Sequence, residues 1–229
     1  MIKLAHRGYS ARYPENTMEA FIQAYRKGFD GVETDVHMSK DGELVLIHDE
    51  MIDRTSQSHG YVKDYTLKEL KTFNFNYSHE GRYEIPTLQE LLMYIQDKDF
   101  YVNIEIKTDC IHYLGIEEKI YHLVQEMNVG DKIFYSSFYL PSVLKMKSLD
   151  PQAYVGYLIE KDYDKKYYEL LNYHINAIHP RYSFVNQDRM EQLEENDIRV
   201  AVWTVPNFKE YKRLKDLGVD IIISNEYFK

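Results

Sequence analysis

Glu33 and Asp35 stand two residues apart in the run GVETDVHMSKDGELVLIHD, residues 31–49. Alternation through Val32, Thr34 and Val36 predicts a β-strand, which sends both carboxylates to one face. Asp41-Gly42 then signals a two-residue hairpin turn, because a type I′ turn needs positive φ at both central residues. The apolar run 44–47 returns antiparallel. With the turn centred there, Lys40 falls opposite Glu43, Val36 opposite Ile47, and Asp35 opposite His48. An imidazole is thereby carried back to a pair of acids. Adjacent carboxylates repel unless a cation sits between them, so the pattern points to a hard divalent metal with a titratable histidine beside it. That is a site for metal-assisted chemistry.

Other runs end in the same kind of residue. The apolar stretch 2–5 reads as a buried strand that delivers His6-Arg7-Gly8 at its end. The stretch 101–107 carries Glu105 and Lys107, again two apart and so on one face, and the strand read over 199–205 carries Trp203. Three carboxylates contribute about -3; one divalent cation brings this to about -1, and Arg7 with Lys107 to about +1. Such a pocket attracts an anion. His37, His59, His79, His112, His122 and His174 have no comparable setting and read as surface or packing residues, while His179, in Ile178-His179-Pro180, is intermediate.

The elements that must position these residues alternate. After the first strand, Asn16 reads as a helix N-cap with Glu19 completing a capping box, an apolar stripe follows at Phe21, Ala24 and Tyr25, and Gly28 closes the helix. The hairpin-bearing strand comes next. Residues 50–84 are polar, aromatic and turn-rich, with one short helical pattern around Leu67 and Leu70, and read as an insertion. Beyond them, helices start at 86–88 and span 116–127, run from about 142, through 167–171, and over 187–196 and 208–217. Strands fall at 132–136, 153–158, 176–178, 199–205 and 219–223. Leaving out the returning hairpin arm, eight strands are counted. The pattern predicts an α/β fold, a (β/α)₈ TIM barrel forming one domain over 1–229 with a small insertion after the second strand; its active site belongs at the C-terminal strand ends. An open doubly wound sheet is the alternative.

Composition narrows the function. A net charge of -9 disfavours nucleic acid or an anionic membrane as partner and favours a small substrate. The single cysteine, Cys110, excludes an internal disulfide and a cysteine metal cage. MIKLAHRG lacks the apolar core of a secretory leader and no run is long enough for a membrane span, so the expected location is cytoplasmic, without stable membrane association. The 22 tyrosines read as packed or half-exposed amphipathic residues.

HRGYSARYPENTMEAF, GVETDVHMSKDGELVLIHD, the downstream RTS, IPTLQELL, NIEIK, SSF and VAVWTV stand in the order expected of the glycerophosphodiester phosphodiesterases, which the chain resembles from Leu4 to about Asn225. The resemblance implies a barrel with a small insertion, and one divalent cation, Mg²⁺ or Ca²⁺, on Glu33, Asp35 and Glu105. It implies His6 and His48 as an acid-base pair, Arg7 and Lys107 as phosphate holders, and glycerol 3-phosphate plus an alcohol as products of a small glycerophosphodiester substrate. Trp203 belongs to the expected substrate site. RTS followed by Gln57, Pro206 after WTV, and Ser224-Asn225 depart from the usual pattern at the rim, where the choice of alcohol group is made. Two competing readings are a non-catalytic phosphate-ligand protein, which would lack His6, His48 or a metal carboxylate, and a lyase-type phospholipase, which would need a membrane-facing segment.

Overall fold

The computed structural model describes residues 1–76 and 79–229, so residues 77 and 78 of the expected insertion lie outside it. Strand β1 (Ile2–His6) leads to α1 (Met18–Lys27), β2 (Gly31–Met38) and a short antiparallel arm, β3 (Leu44–Leu46). Then come α2 (Leu67–Leu70), α3 (Leu88–Ile95), β4 (Tyr101–Ile106), α4 (Ile116–Met127), β5 (Ile133–Ser137) and α5 (Leu140–Leu149). The chain finishes with β6 (Tyr154–Ile159), α6 (Tyr163–Asn172), β7 (Ala177–Pro180), α7 (Gln187–Glu195), β8 (Arg199–Val202), α8 (Phe208–Asp216) and β9 (Ile221–Ser224). Among the described residues the sheet has nine strands. All but β3 are parallel, and β1 pairs with both β2 and β9, which closes the expected eight-stranded barrel. Among the described residues no helix is long and apolar enough to cross a membrane.

Two cores follow from the period-2 alternation of the strands. Leu4, Phe134, Tyr154, Ala177, Ala201 and Ile221 pack together inside the barrel, with the Tyr101 and Phe134 rings stacked 5.2 Å apart on neighbouring strands. This apolar plug underlies a polar upper layer. The other strand faces pack against the helices in one continuous shell. Helix α3 shows why: Leu88, Leu91, Leu92 and Ile95 recur on one face and are fully buried, each gaining roughly 1.5–3 kcal/mol from burial. Its N-terminus is fixed by a capping box between Thr87 and Glu90.

Two local expectations are corrected. Val36 pairs with Leu46 and Met38 with Leu44, one residue out of the expected register. Ser39 N–H donates to Glu43 O at 2.9 Å, so the loop holds three residues, with Gly42 at φ +84° in the left-handed position of a three-residue hairpin. Asp35 O consequently accepts from Ile47 N–H and His48 lies beyond the paired strand. At the first helix, Thr17 is the N-cap, its Oγ accepting from Ala20 N–H at 3.3 Å, while Asn16 is displaced into the left-handed region at φ +54°.

Ile52, Val62, Leu70 and Phe75 of the described part of segment 50–84, with the adjoining Ile85, bury a small core against Val45 and Ile47 at the hairpin arm. The same segment sends Arg54 back toward the barrel mouth, where it pairs with Glu15.

Candidate active site

Strand register assembles the upper layer. His6 of β1 stands beside Glu33 of β2, and Asp35 of β2 beside Glu105 of β4; His6, Asp35 and Glu105 lie in the C-terminal half of their strands, and Glu33 two residues before Asp35 on the same face. Glu33, Asp35 and Glu105 are buried, and each offers a carboxylate oxygen within 4.8 Å of the others. Lys107, just past β4, donates to Glu105 Oε1 at 3.1 Å and lies 4.0 Å from Asp35 Oδ1. Arg7 Nε lies 3.4 Å from Asp35 Oδ2, and its backbone N–H donates to Glu33 Oε2 at 3.0 Å. That backbone contact depends on a turn of two positive φ angles, +55° at Arg7 and +76° at Gly8. A Cβ at Gly8 would lie 2.7 Å from that of Ala20 in α1, so only glycine lets this loop approach the helix.

The acids exceed the cations around them. Burial, then the charges of Asp35 and Glu105, push the Glu33 carboxyl far above its ordinary range. Asp35 goes the other way: burial opposes its ionisation, but Arg7, His48, Lys107 and the Asn16 amide outweigh it. Glu105 is raised by burial, with Lys107 opposing. Among the described residues, Glu33 Oε1 and Asp35 Oδ1 are buried and without a hydrogen-bond partner. Three converging hard oxygen donors, two of them holding orphaned oxygens, and an uncompensated negative charge fit a divalent cation such as Mg²⁺ or Ca²⁺.

The two imidazoles flank this cluster with different backing. His6 Nδ1 lies 2.7 Å from Oδ1 of Asn225, a neutral amide, and its Nε2 lies 3.9 Å from Glu33. Burial, reinforced by Arg7, lowers its pKa to about 4. His48 Nδ1 instead lies 2.6 Å from Asp49 Oδ1, a carboxylate. The His48 carbonyl is held by His37 Nε2 at 3.1 Å, so the buried His37 fixes the peptide that carries the half-buried ring.

His6, Arg7, Glu33, His48 and Glu105 share one cavity of about 80 Å³, room for a few waters or one compact anion. Its opposite wall is apolar. Trp203 and Phe138 meet edge to face there, ring centroids 5.5 Å apart, and Trp203 Nε1 is already engaged with the His179 carbonyl at 2.7 Å. Trp203 therefore presents a ring to the cavity and has no free donor for an anion. A larger groove of about 520 Å³ lies along α4 and contains none of these residues. All eight residues marked by the sequence thus border the site, seven of them lining the cavity or joining the acid cluster and Lys107 through its contacts with that cluster.

Several residues escaped the sequence reading. Asn16 donates to Asp35 Oδ2 at 3.0 Å and accepts from Thr34 Oγ at 2.7 Å, which makes it a support of the acid cluster. Glu15, Asp49, Arg54, Asn103 and Asn225 also lie in or against the site. A tolerance of asparagine for positive φ was the available signal for Asn16; Glu15, Asp49, Arg54 and Asn103 stand inside the quoted motifs and Asn225 at the rim departure, but their long-range contacts leave no local pattern that assigns them a role.

A model of the glycerophosphoryl diester phosphodiesterase family matches residues 6–227. A glycerophosphodiester phosphodiesterase of Caldanaerobacter subterraneus subsp. tengcongensis is 38% identical over 226 residues, 97% of this chain and 93% of its own. One from Bacillus altitudinis is 35% identical, over 96% of this chain and 93% of its own. Among solved structures, an Oleispira antarctica phosphodiesterase in complex with the product sn-glycerol-3-phosphate is similar at a TM-score of 0.84 and 25% identity, covering 98% of this chain and 93% of its own.

Proposed function

The chain belongs to the glycerophosphoryl diester phosphodiesterase family and is a glycerophosphodiester phosphodiesterase; from that premise we propose that it works with one divalent cation and two histidines of opposite role. The products are glycerol 3-phosphate and an alcohol, a reading supported by the product held in the Oleispira antarctica relative.

A phosphodiester resists attack because its anionic oxygens repel a nucleophile and its alcohol is a poor leaving group. Glu33, Asp35 and Glu105 would hold the cation, Mg²⁺ or Ca²⁺, which when bound supplies Lewis-acid charge to the phosphoryl oxygens. Arg7 and Lys107, on the two oxygens of Asp35, add two fixed positive charges and hold the phosphate. His6, backed by a neutral amide, takes the proton from the attacking group, either water itself or the neighbouring glycerol hydroxyl whose cyclic phosphate water then opens. His48, backed by the Asp49 carboxylate, carries a proton to the departing alkoxide. Trp203 with Phe138 provides an apolar wall against the carbon skeleton of the substrate.

The observation that carries this reading is the unequal backing of two imidazoles beside one buried acid cluster. Hydrolysis of a panel of glycerophosphodiesters, with and without chelator, tests it. Release of glycerol 3-phosphate, lost on chelation and restored by Mg²⁺ or Ca²⁺, is expected. Full activity in excess EDTA with no metal retained contradicts the cation, and preference for the intact lipid contradicts the substrate class.

A further inference from the structure

Arg54 enters the site from the segment after the hairpin. Its terminal nitrogens donate to both carboxylate oxygens of Glu15 at 2.8 Å each. Its Nε donates to Asp49 Oδ2 at 2.7 Å, and Nη2 lies 3.2 Å from Oδ1. Glu15 Oε1 in turn accepts from Arg7 Nη1 at 3.0 Å, and Asp49 Oδ1 meets the ring of His48. One guanidinium therefore joins the two sides of the cavity.

We propose that Arg54 is a positioning residue, which fixes Asp49 and through it the His48 ring in register with the Arg7 guanidinium. The inference rests on the reading of His48 as proton donor and of Arg7 as phosphate holder. Two bidentate forks on one planar group hold two carboxylates at a fixed separation and angle, which an ammonium cannot do. A bidentate, networked guanidinium of this kind adds stability as well, which acts on every substrate alike; orientation of the His48 ring is the part that depends on the leaving group. His48 lies beyond the hydrogen-bonded part of β3, so no strand ladder aims its ring. The hydrogen bond from His37 fixes its carbonyl, while Asp49 is the partner of the ring itself. Both groups that pull Asp49 into its ionised form, the His48 contact first and then Arg54, act on the same carboxylate.

The test compares two substrates on the metal-loaded full chain: glycerophosphocholine, whose alcohol needs a proton to leave, and a nitrophenyl ester of glycerol phosphate, whose phenolate does not. Arg54→Ala is expected to lower kcat on the choline ester about 10- to 100-fold, the scale for groups that orient a reacting residue. Its loss on the nitrophenyl ester is at most a few-fold, measured at a temperature where both proteins are fully folded. Arg54→Lys restores only part of the rate. Arg54→Ala combined with Asp49→Asn is no worse than the poorer single variant, because both break one path. Should Arg54→Ala fail to fold, the near-isosteric Asp49→Asn carries the same two-substrate comparison. Equal losses on both esters, additive losses in the double variant, or full activity of Arg54→Ala overturn the proposal. A wild-type protein inactive on both esters overturns the functional reading with it, whereas an active wild type with equal losses overturns the positioning role alone.

Discussion

The side-chain amide of Asn16 bridges two neighbours on β2, donating to Asp35 Oδ2 at 3.0 Å and accepting from Thr34 Oγ at 2.7 Å. Its left-handed backbone at φ +54° turns the side chain into the barrel mouth, where a helix-capping asparagine would face the helix. The amide fixes which oxygen of Asp35 faces the protein and leaves Oδ1 for a ligand.

Asn16→Ala removes both bonds at once. Leaving the Thr34 hydroxyl without its acceptor should destabilise the fold by about 1–3 kcal/mol. Because the amide also orients a proposed metal ligand, Mg²⁺ or Ca²⁺ affinity should fall by roughly 10- to 100-fold. Urea denaturation and calorimetric metal titration measure the two effects separately; unchanged metal affinity would remove Asn16 from the site's support.

Gly31 marks the start of β2, opposite Tyr101 of β4. A Cβ there would lie 2.7 Å from Leu4 Cδ2 and 2.8 Å from the Tyr101 carbonyl carbon, and would also meet the carbonyl oxygen. Backbone cannot yield as a side-chain tip can. Gly31→Ala should therefore cost about 1–3 kcal/mol or more by overpacking, read as a lower urea midpoint. The same strand pair aligns Asp35 with Glu105, so metal affinity should fall along with stability.

The alternation of strand and helix made the barrel legible, since short apolar runs separated by amphipathic stretches have few parallel solutions. The period of two also placed Glu33 with Asp35 and Glu105 with Lys107 on shared faces. What the sequence left hidden lay where periodicity ends. Asp41-Gly42 suits either a two-residue turn or a three-residue loop with Gly42 in the left-handed position, and the choice shifts every pair by one residue. Asn16 and Thr17 are both competent N-caps, and only packing decides between them. Arg54 sits in an aperiodic segment, and its partners Glu15 and Asp49 are brought to it by closure of the barrel and by the small core beneath the hairpin arm.

His179 offers a pH test away from the metal cluster. Fully inside the barrel, with Nε2 3.0 Å from the Tyr154 hydroxyl, it is pushed by burial down to a pKa of about 3. The unfolded chain binds a proton there near pH 6.5 and the folded chain does not, so stability falls as pH drops through about 6.5 toward 3. Within that window His179 contributes a slope of up to about 1.4 kcal/mol per pH unit. In His179→Gln, urea unfolding between about pH 4 and pH 6 should show a slope shallower by about that amount. An unchanged slope would mean that the buried imidazole titrates as an exposed one does.

The division of labour between His6 and His48 is tested most directly by pairing each alanine variant with two leaving groups. On glycerophosphocholine, His6→Ala and His48→Ala should each lower turnover by roughly 10²- to 10⁴-fold, with metal binding largely intact. On a nitrophenyl ester, whose phenolate departs without a proton, His48→Ala should recover most of its rate and His6→Ala should not. Recovery of both variants, of neither, or of His6→Ala alone would contradict the assignment of His6 as base and His48 as acid.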